Sequence, residues 1–234
     1  EPLPPTGKAI GLDMGLKSLV ADSEGNTVPN PKHLQSELKN LAHSQRILSR
    51  RAKGSHRCQK QAHVVARRHE RIVNRRKDTL HKLARQYVNQ YDTIVVEDLN
   101  VSGMVQNHHL ARSISDASWS LFRQLLASKA ESAGRRVIAV PARFTSQRCS
   151  ECGEYVEKSL SVRTHFCPHC GYVDDRDVNA AKNILALALR VERPIEESRR
   201  PQHAARDSGR GCQPDRHALF YGADVFDLVE VGLR

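Results

Sequence analysis

Cys149-Ser-Glu-Cys152, a spacer of fourteen residues, Cys167-Pro-His-Cys170 and, almost at once, Asp175-Arg-Asp177-Val-Asn-Ala-Ala181 form the stretch of sequence that narrows the fold most. Two Cys-x2-Cys pairs at this separation predict a four-thiolate zinc site, because each pair makes a tight turn that aims two sulfurs at one point. The spacer has room for a short hairpin that returns the second pair to the first. The acidic segment after it opens an amphipathic helix. The competing reading, two disulfides, fits poorly: disulfide scaffolds are short, secreted and rich in cysteine, and this chain has six cysteines in 234 residues. Its first residues, Glu1-Pro-Leu-Pro-Pro5, have neither the basic nor the apolar region of a signal peptide. Cys58 and Cys212 lack a partner at metal-ligand spacing and read as incidental thiols. Four sulfurs complete a tetrahedron, so His165 and His169 are left out of the site, His169 being the best substitute.

Working outward, the length suits one main domain plus a small metal module. No apolar run approaches the length of a membrane span. The formal net charge of +11 favours a polyanionic partner. That charge is concentrated: Arg46, Arg50, Arg51, Lys53, Arg57, Lys60, Arg67, Arg68, Arg71, Arg75, Arg76 and Lys77 share their window with a single acid, Glu70. A merely solvated helix face mixes signs to avoid self-repulsion, so this segment is expected to contact nucleic acid.

The order of elements follows from periodicity. Lys8–Met14 reads as a buried strand, with short strands at Ser18–Asp22 and Thr27–Val28 joined by the turn Glu24-Gly25-Asn26. Residues 33–91 carry apolar positions three and four apart and predict two helices broken at Gly54-Ser55. Thr93-Ile-Val-Val-Glu97 is an unbroken run expected in a central strand. Residues 98–115 read as an irregular insertion, followed by a helix from about Asp116 to Ser132, capped by Asp116 or Ser115 and ended by Gly134. A strand at Arg136–Val140, the zinc module at 145–174 and a helix at Asp177–Val191 complete the pattern. That last helix should bury Val178, Ala181, Ile184, Leu185 and Leu189. Residues 192–234 read as a mobile tail.

This order is an α/β arrangement: a mixed sheet flanked by helices, with an inserted four-cysteine ribbon. Its first and fourth strands are expected side by side. Asp13 and Glu97 end those two strands, and Asp177 starts the last helix, so the three acids can converge. Converging carboxylates repel unless cations bind, and Mg2+ prefers carboxylate oxygens. A pair of such ions about 4 Å apart supports in-line phosphodiester hydrolysis. Simpler readings compete: Asp13 as a turn former, Asp98 in place of Glu97, and Asp174, Asp175 or Asp177 as helix caps.

The segments Gly11-Leu-Asp13-Met-Gly-Leu-Lys17, Ile94-Val-Val-Glu97-Asp-Leu-Asn100, Thr145-Ser-Gln-Arg-Cys149-Ser-Glu-Cys152-Gly153 and Asp175-Arg-Asp177-Val-Asn-Ala-Ala-Lys-Asn-Ile-Leu185, in this order, resemble the TnpB (OrfB) family. This family is encoded by IS200/IS605 and IS607 transposons and is related to Cas12 nucleases. The resemblance covers residues 8 to about 190. It implies an RNase H-like, RuvC-type nuclease domain over 8–144 and 175–191, with the basic helical segment 33–91 within it and the zinc ribbon 145–174 inserted. It implies Mg2+ on Asp13, Glu97 and Asp177, and structural Zn2+ on Cys149, Cys152, Cys167 and Cys170. It further implies a guide RNA, a DNA target and a cytoplasmic, nucleoid-associated setting in a prokaryote. Members carry a sizeable N-terminal region ahead of the first acid-bearing strand, so the expectation here is a truncated product or an isolated nuclease portion. Ala127-Ser128-Lys129 also departs from the family in lacking an aromatic before the lysine. The leading expectation is thus a Mg2+-dependent, RNA-guided DNA endonuclease or its nuclease portion. The alternatives are an inactive nucleic-acid-binding transposon protein and a structure-specific RuvC-like resolvase.

Overall fold

The computed structural model describes residues 2–141, 143–159 and 161–191. The tail expected at 192–234, with Cys212, lies outside the described residues. The first three strands, β1 (Ala9–Met14), β2 (Ser18–Asp22) and β3 (Thr27–Pro29), form an antiparallel meander. Two helices, α1 (His33–Ser49) and α2 (His56–Gln90), then lead to β4 (Thr93–Asp98). β4 pairs parallel to β1 on one side and to β5 (Arg136–Pro141) on the other, so the sheet order is β3-β2-β1-β4-β5. The run of β-branched residues at 94–96 is therefore central, as its composition predicts.

The period-two alternation of the strands divides the sheet into two faces. Ile10, Leu12 and Met14 of β1, with Ile94 and Val96 of β4, join the main core with Leu80, Ala84, Tyr87 and Val88 of α2. Trp119, Phe122 and Leu126 of α5 (Trp119–Ser132) complete that core. The opposite face carries Val95 and Val140, which pack with Ile184 and Ala188 of α6 (Arg176–Val191). α6 crosses β1 at Gly11 so closely that a Cβ built there would lie 2.2 Å from the Ala181 carbonyl oxygen. No other residue fits that crossing.

Gly54, at φ +77°, and Ser55 break the helical segment where expected, and the Ser55 hydroxyl accepts from the Cys58 N–H at 3.1 Å as the N-cap of α2. α2 has 35 residues, about 52 Å at the helical rise. Its buried residues begin at Ile72, so its first half stands away from the sheet with α1 beside it.

Three expectations change. The insertion at 98–115 contains α3 (Val101–Met104) and the start of α4 (Ala111–Ala117). The helix expected from Asp116 begins instead at Trp119, after Ser118 turns left-handed at φ 53°. Asp116 does cap a helix, but a distant one: its carboxylate accepts from the Leu34 N–H in the first turn of α1 at 3.0 and 3.1 Å, and from Arg76 Nη2 at 2.8 Å. Leu189, expected on the buried side of α6, is 44% exposed.

The segment before β1 is tied to the N-terminal ends of the parallel strands. The Asp92 carboxylate accepts from the Thr6 N–H at 2.9 Å and the Gly7 N–H at 2.6 Å, and it also holds the Arg135 guanidinium. Arg135 donates on to the Pro4 carbonyl at 2.8 Å, and the Leu3 N–H reaches the Ala133 carbonyl at 3.0 Å. No helix among the described residues is long and apolar enough to cross a membrane.

Candidate metal centres

Asp13 and Glu97 lie at the C-terminal ends of neighbouring parallel strands. The pairing of Leu12 with Val96 brings the next residues side by side. Counting by twos from Gly11 and Val95 puts both acids on the face covered by α6, which supplies Asp177 in its first turn. The Asp13 carboxyl is held well above the usual carboxylate range, first by burial, then by the charges of Glu97 and Asp177, against a smaller lowering by Arg176. Burial also raises Glu97, against the opposing hydrogen bond from Thr145 Oγ1 at 2.5 Å. Asp177 is met by Arg176 Nε and Nη2, both at 3.2 Å, and by Arg163 Nη1 at 3.7 Å.

The competing acids have other partners. Asp98 points to the other face and pairs with Arg123 of α5 at 2.9 Å. Asp175 is the helix cap: its Oδ1 accepts from the Asp177 N–H at 2.8 Å. Asp174 accepts from the Tyr172 hydroxyl at 2.5 Å and from Lys182 at 2.9 Å. The three expected acids therefore stand toward one end of the sheet, near enough for the charges of Glu97 and Asp177 to act on Asp13. They converge more loosely than the cysteines, which among the described residues are the one group of metal-ligating side chains whose donor atoms all lie within 4.8 Å of one another.

Between β5 and α6 the chain forms a small ribbon. β6 (Thr164–Phe166) and β7 (Val173–Asp175) pair antiparallel, and Arg148 bridges to Tyr155. Cys149 and Cys167 are buried with Val156 in a miniature core, while Cys152 and Cys170 face outward. The Sγ atoms of Cys149 and Cys170 are 3.7 Å apart, and those of Cys152 and Cys167 are 3.6 Å apart. A tetrahedron with Zn–S bonds of about 2.3 Å has edges of about 3.8 Å, so the four thiols fit zinc. Gly153 and Gly171, at φ +79° and +75°, close the two knuckles. His169 is not a member of the cluster. Cys58 stands apart on α2, as expected of an incidental thiol.

The basic segment is divided in its use. Arg46, Arg50, Arg51, Lys53, Arg57, Lys60, Arg67, Arg71 and Lys77 are exposed along α1, α2 and the loop between them. Arg68 and Arg75 reach Glu37 of α1 at 3.8 and 3.3 Å. Arg76 is the half-buried partner of the buried Asp116, so its charge serves the fold.

Sequence reasoning missed three polar residues that tie the ribbon to the sheet: Thr145, Asn179 and Asn183. All three are buried. They stand inside the segments Thr145-Ser-Gln-Arg-Cys149 and Asp177-Val-Asn-Ala-Ala-Lys-Asn183, and the two asparagines at i and i+4 on an otherwise apolar helix face were a readable signal.

Residues 1–108 match the family model OrfB_IS605, described as "Probable transposase", and residues 119–184 match "Cas12f1-like, TNB domain". The chain is 43% identical over 211 residues to a "Putative RNA-guided DNA endonuclease" of Streptomyces pristinaespiralis, covering 89% of this chain and 52% of that one. It is 37% identical over 206 residues to the "Putative RNA-guided DNA endonuclease InsQ" of Escherichia coli K12, covering 81% and 51%. It is 30% identical over 195 residues to the CRISPR-associated endodeoxyribonuclease Cas12f1 of Sulfoacidibacillus thermotolerans, covering 76% and 45%. The chain thus spans about half the length of these relatives. In fold it is similar to Cas12f1 in a cryo-EM complex with sgRNA and target DNA, with a TM-score of 0.55 at 19% identity over 79% of this chain and 51% of that one. A second Cas12f ternary complex gives a TM-score of 0.57 at 21% identity over 79% and 39%.

Proposed function

The chain belongs to the TnpB (OrfB) family of transposon-encoded proteins, and from that premise we propose that it is the nuclease portion of an RNA-guided DNA endonuclease. In this reading residues 8–144 and 175–191 form an RNase H-like, RuvC-type domain, and 145–174 form its zinc ribbon. Asp13, Glu97 and Asp177 hold Mg2+, and Cys149, Cys152, Cys167 and Cys170 hold Zn2+. The observation that carries it is the placement of the acids: Asp13 and Glu97 follow the paired residues Leu12 and Val96 on neighbouring parallel strands, and Asp177 stands in the first turn of the helix packed on that face. Three hard oxygen donors in a crowded, like-charged group suit Mg2+, whereas the four soft thiolates suit Zn2+.

When bound, Mg2+ supplies an activated water and neutralises charge at the leaving oxygen of a phosphodiester. The protein's own part is to hold the ligands and guide the strand. Thr145 fixes one oxygen of Glu97. Arg176 and Arg163 offset the charge of Asp177. The exposed cations of α1 and α2 are suited to the phosphate backbone of a guide RNA or its DNA partner, which they would hold without reading sequence. A cytoplasmic, nucleoid-associated setting follows from those partners.

Binding without catalysis explains the basic helices but gives no reason for three mutually repelling acids. The deciding experiment incubates labelled single-stranded DNA with Mg2+ and compares the parent with Asp13→Ala. Cleavage by the parent and its loss in the variant are expected. Equal cleavage by both would remove the acids from the mechanism.

A further inference from the structure

Glu97 is 6% exposed and sits at the end of the central strand. Its Oε1 accepts from Thr145 Oγ1 at 2.5 Å, across 48 residues of chain. Thr145 is itself 5% exposed and lies four residues before the first zinc-ligand cysteine. The segment between them has no regular structure of its own, and two buried side-chain amides from α6 hold it. Asn183 Nδ2 donates to the Thr145 carbonyl at 2.8 Å and to the Arg148 carbonyl at 2.7 Å. Asn179 Nδ2 donates to the same Arg148 carbonyl at 2.8 Å, and its Oδ1 accepts from the Ser150 N–H at 3.0 Å. Inside the segment, the Gln147 and Arg148 N–H groups both reach the Phe144 carbonyl at 3.1 Å. Phe144, immediately before Thr145, is left-handed at φ 66°. A bulky residue in that conformation persists only where its surroundings over-determine it.

These contacts form one continuous path from the first cysteine knuckle to the acid. Cys149 is 1% exposed and follows Arg148 directly, so an ordered knuckle fixes the Arg148 carbonyl. Asn179 and Asn183 hold that carbonyl against α6, Asn183 also holds Thr145, and Thr145 holds Glu97. The same helix carries Asp177 two residues before Asn179.

We infer that Thr145 is a positioning residue for Glu97, and that an ordered four-thiolate ribbon is what keeps Thr145 in place, so that loading of the ribbon sets the divalent-ion affinity of the acid site. This rests on the metal-binding role proposed for Asp13, Glu97 and Asp177. A group that orients a metal ligand typically affects affinity or activity 10- to 100-fold. The ribbon therefore acts on the acids through a hydrogen-bonded chain within the protein, independently of any contact it makes with nucleic acid.

The test measures Mn2+ binding to the full chain by calorimetry, alongside thermal unfolding, with no nucleic acid present. Thr145→Val keeps the shape and removes the hydroxyl, and should weaken Mn2+ binding about tenfold or more. Thr145→Ser restores the hydroxyl and should return to within about threefold of the parent, a recovery that a purely structural role of the threonine methyl would not give. Cys152→Ser opens the zinc site at an exposed thiol and should weaken Mn2+ binding to the extent of Thr145→Val. The double variant should be no weaker than either alone. Parent-like Mn2+ affinity in Thr145→Val overturns the positioning role. Parent-like affinity in Cys152→Ser, or additive losses in the double variant, overturns the coupling to the ribbon. Asp13→Ala separates the two levels: if it binds Mn2+ as the parent does, the acid site itself is wrong and this inference falls with it. If it abolishes binding while Thr145→Val leaves binding untouched, this inference fails alone.

Discussion

Gly11→Ala probes the close crossing that brings the acids together. A methyl at Gly11 would sit 2.2 Å from the Ala181 carbonyl oxygen, 2.8 Å from the Leu185 nitrogen and 2.9 Å from the Leu185 Cβ. Ordinary van der Waals separation begins near 3.4 Å, and two of the three neighbours are backbone atoms of α6 that cannot rotate away. The helix must therefore retreat from β1 by about 1 Å, and overpacking of this kind costs about 1–3 kcal/mol. For a domain of this size that lowers Tm by about 3–9 °C. The effect on chemistry is larger than the effect on stability. Asp13 lies two residues from Gly11 on the strand, and Asp177 four residues from Ala181 on the helix. A misplacement of about 1 Å between groups that act together can cost about 100-fold in rate. Mg2+-dependent cleavage and thermal unfolding should be measured on the same preparation. Gly25→Ala serves as the control: Gly25 has φ +95° but nothing within 4 Å of the added carbon, so it meets backbone strain alone and should cleave normally. A Gly11→Ala chain that melts within about 1 °C of the parent and cleaves at the parent rate would refute the close crossing as the device that sets the acid geometry.

Three further outcomes are expected. Without divalent ions, Asp13 opposes folding at neutral pH. Its carboxyl is raised in the folded chain, so its contribution is fully present below the unfolded value near 3.8 and is lost as pH rises through the folded value. Asp13→Asn should therefore raise the metal-free Tm at pH 7 and flatten its fall with pH, and a lower Tm at pH 7 would contradict the burial and repulsion assigned to it. Asp116→Asn should destabilise the chain by about 2–4 kcal/mol in urea unfolding, because Arg76 loses its buried counter-charge, and a change under about 0.5 kcal/mol would show that the pair is dispensable. Reversing Arg50, Arg51 and Arg57 to glutamate should leave Tm nearly unchanged while making the slope of log binding constant against log salt shallower by about 0.7–0.9 for each phosphate no longer neutralised, and an unchanged slope would place nucleic acid elsewhere.

Much of the sheet was legible because its signals are local. An unbroken β-branched run marks 94–96 as central, but putting Asp13 and Glu97, rather than Asp98, on one face took the register that pairs Leu12 with Val96. Gly54-Ser55 breaks the helical segment for reasons that act within three residues, a positive φ and a hydroxyl cap. The cysteines were legible for the same reason, since a knuckle is a local turn. The break at Ser118 was not legible: serine tolerates left-handed backbone poorly, and the apolar period runs across it with little interruption. Asp116 looked like a cap for its own helix and proved to cap α1 through the Leu34 N–H, 82 residues earlier, a choice set by packing of α4 on α1. Thr145 was equally hidden, whereas Asn179 and Asn183 left a single trace, two amides at i and i+4 on an apolar helix face. A buried amide that serves a distant carbonyl leaves no periodic trace beyond being polar on an apolar face.

The strap before β1 has a practical consequence for handling the molecule. Asp92, Ala133 and Arg135 hold residues 3–7 at the starting ends of the parallel strands, whereas the acids lie at their finishing ends. Six-residue strands such as β1 and β4 separate those ends by about 20 Å. A fluorescent label on a cysteine introduced at the exposed Pro5 is thus anchored at the pole remote from the carboxylates. Distances measured from such a label to a dye on bound DNA give a fixed reference for how the strand is threaded.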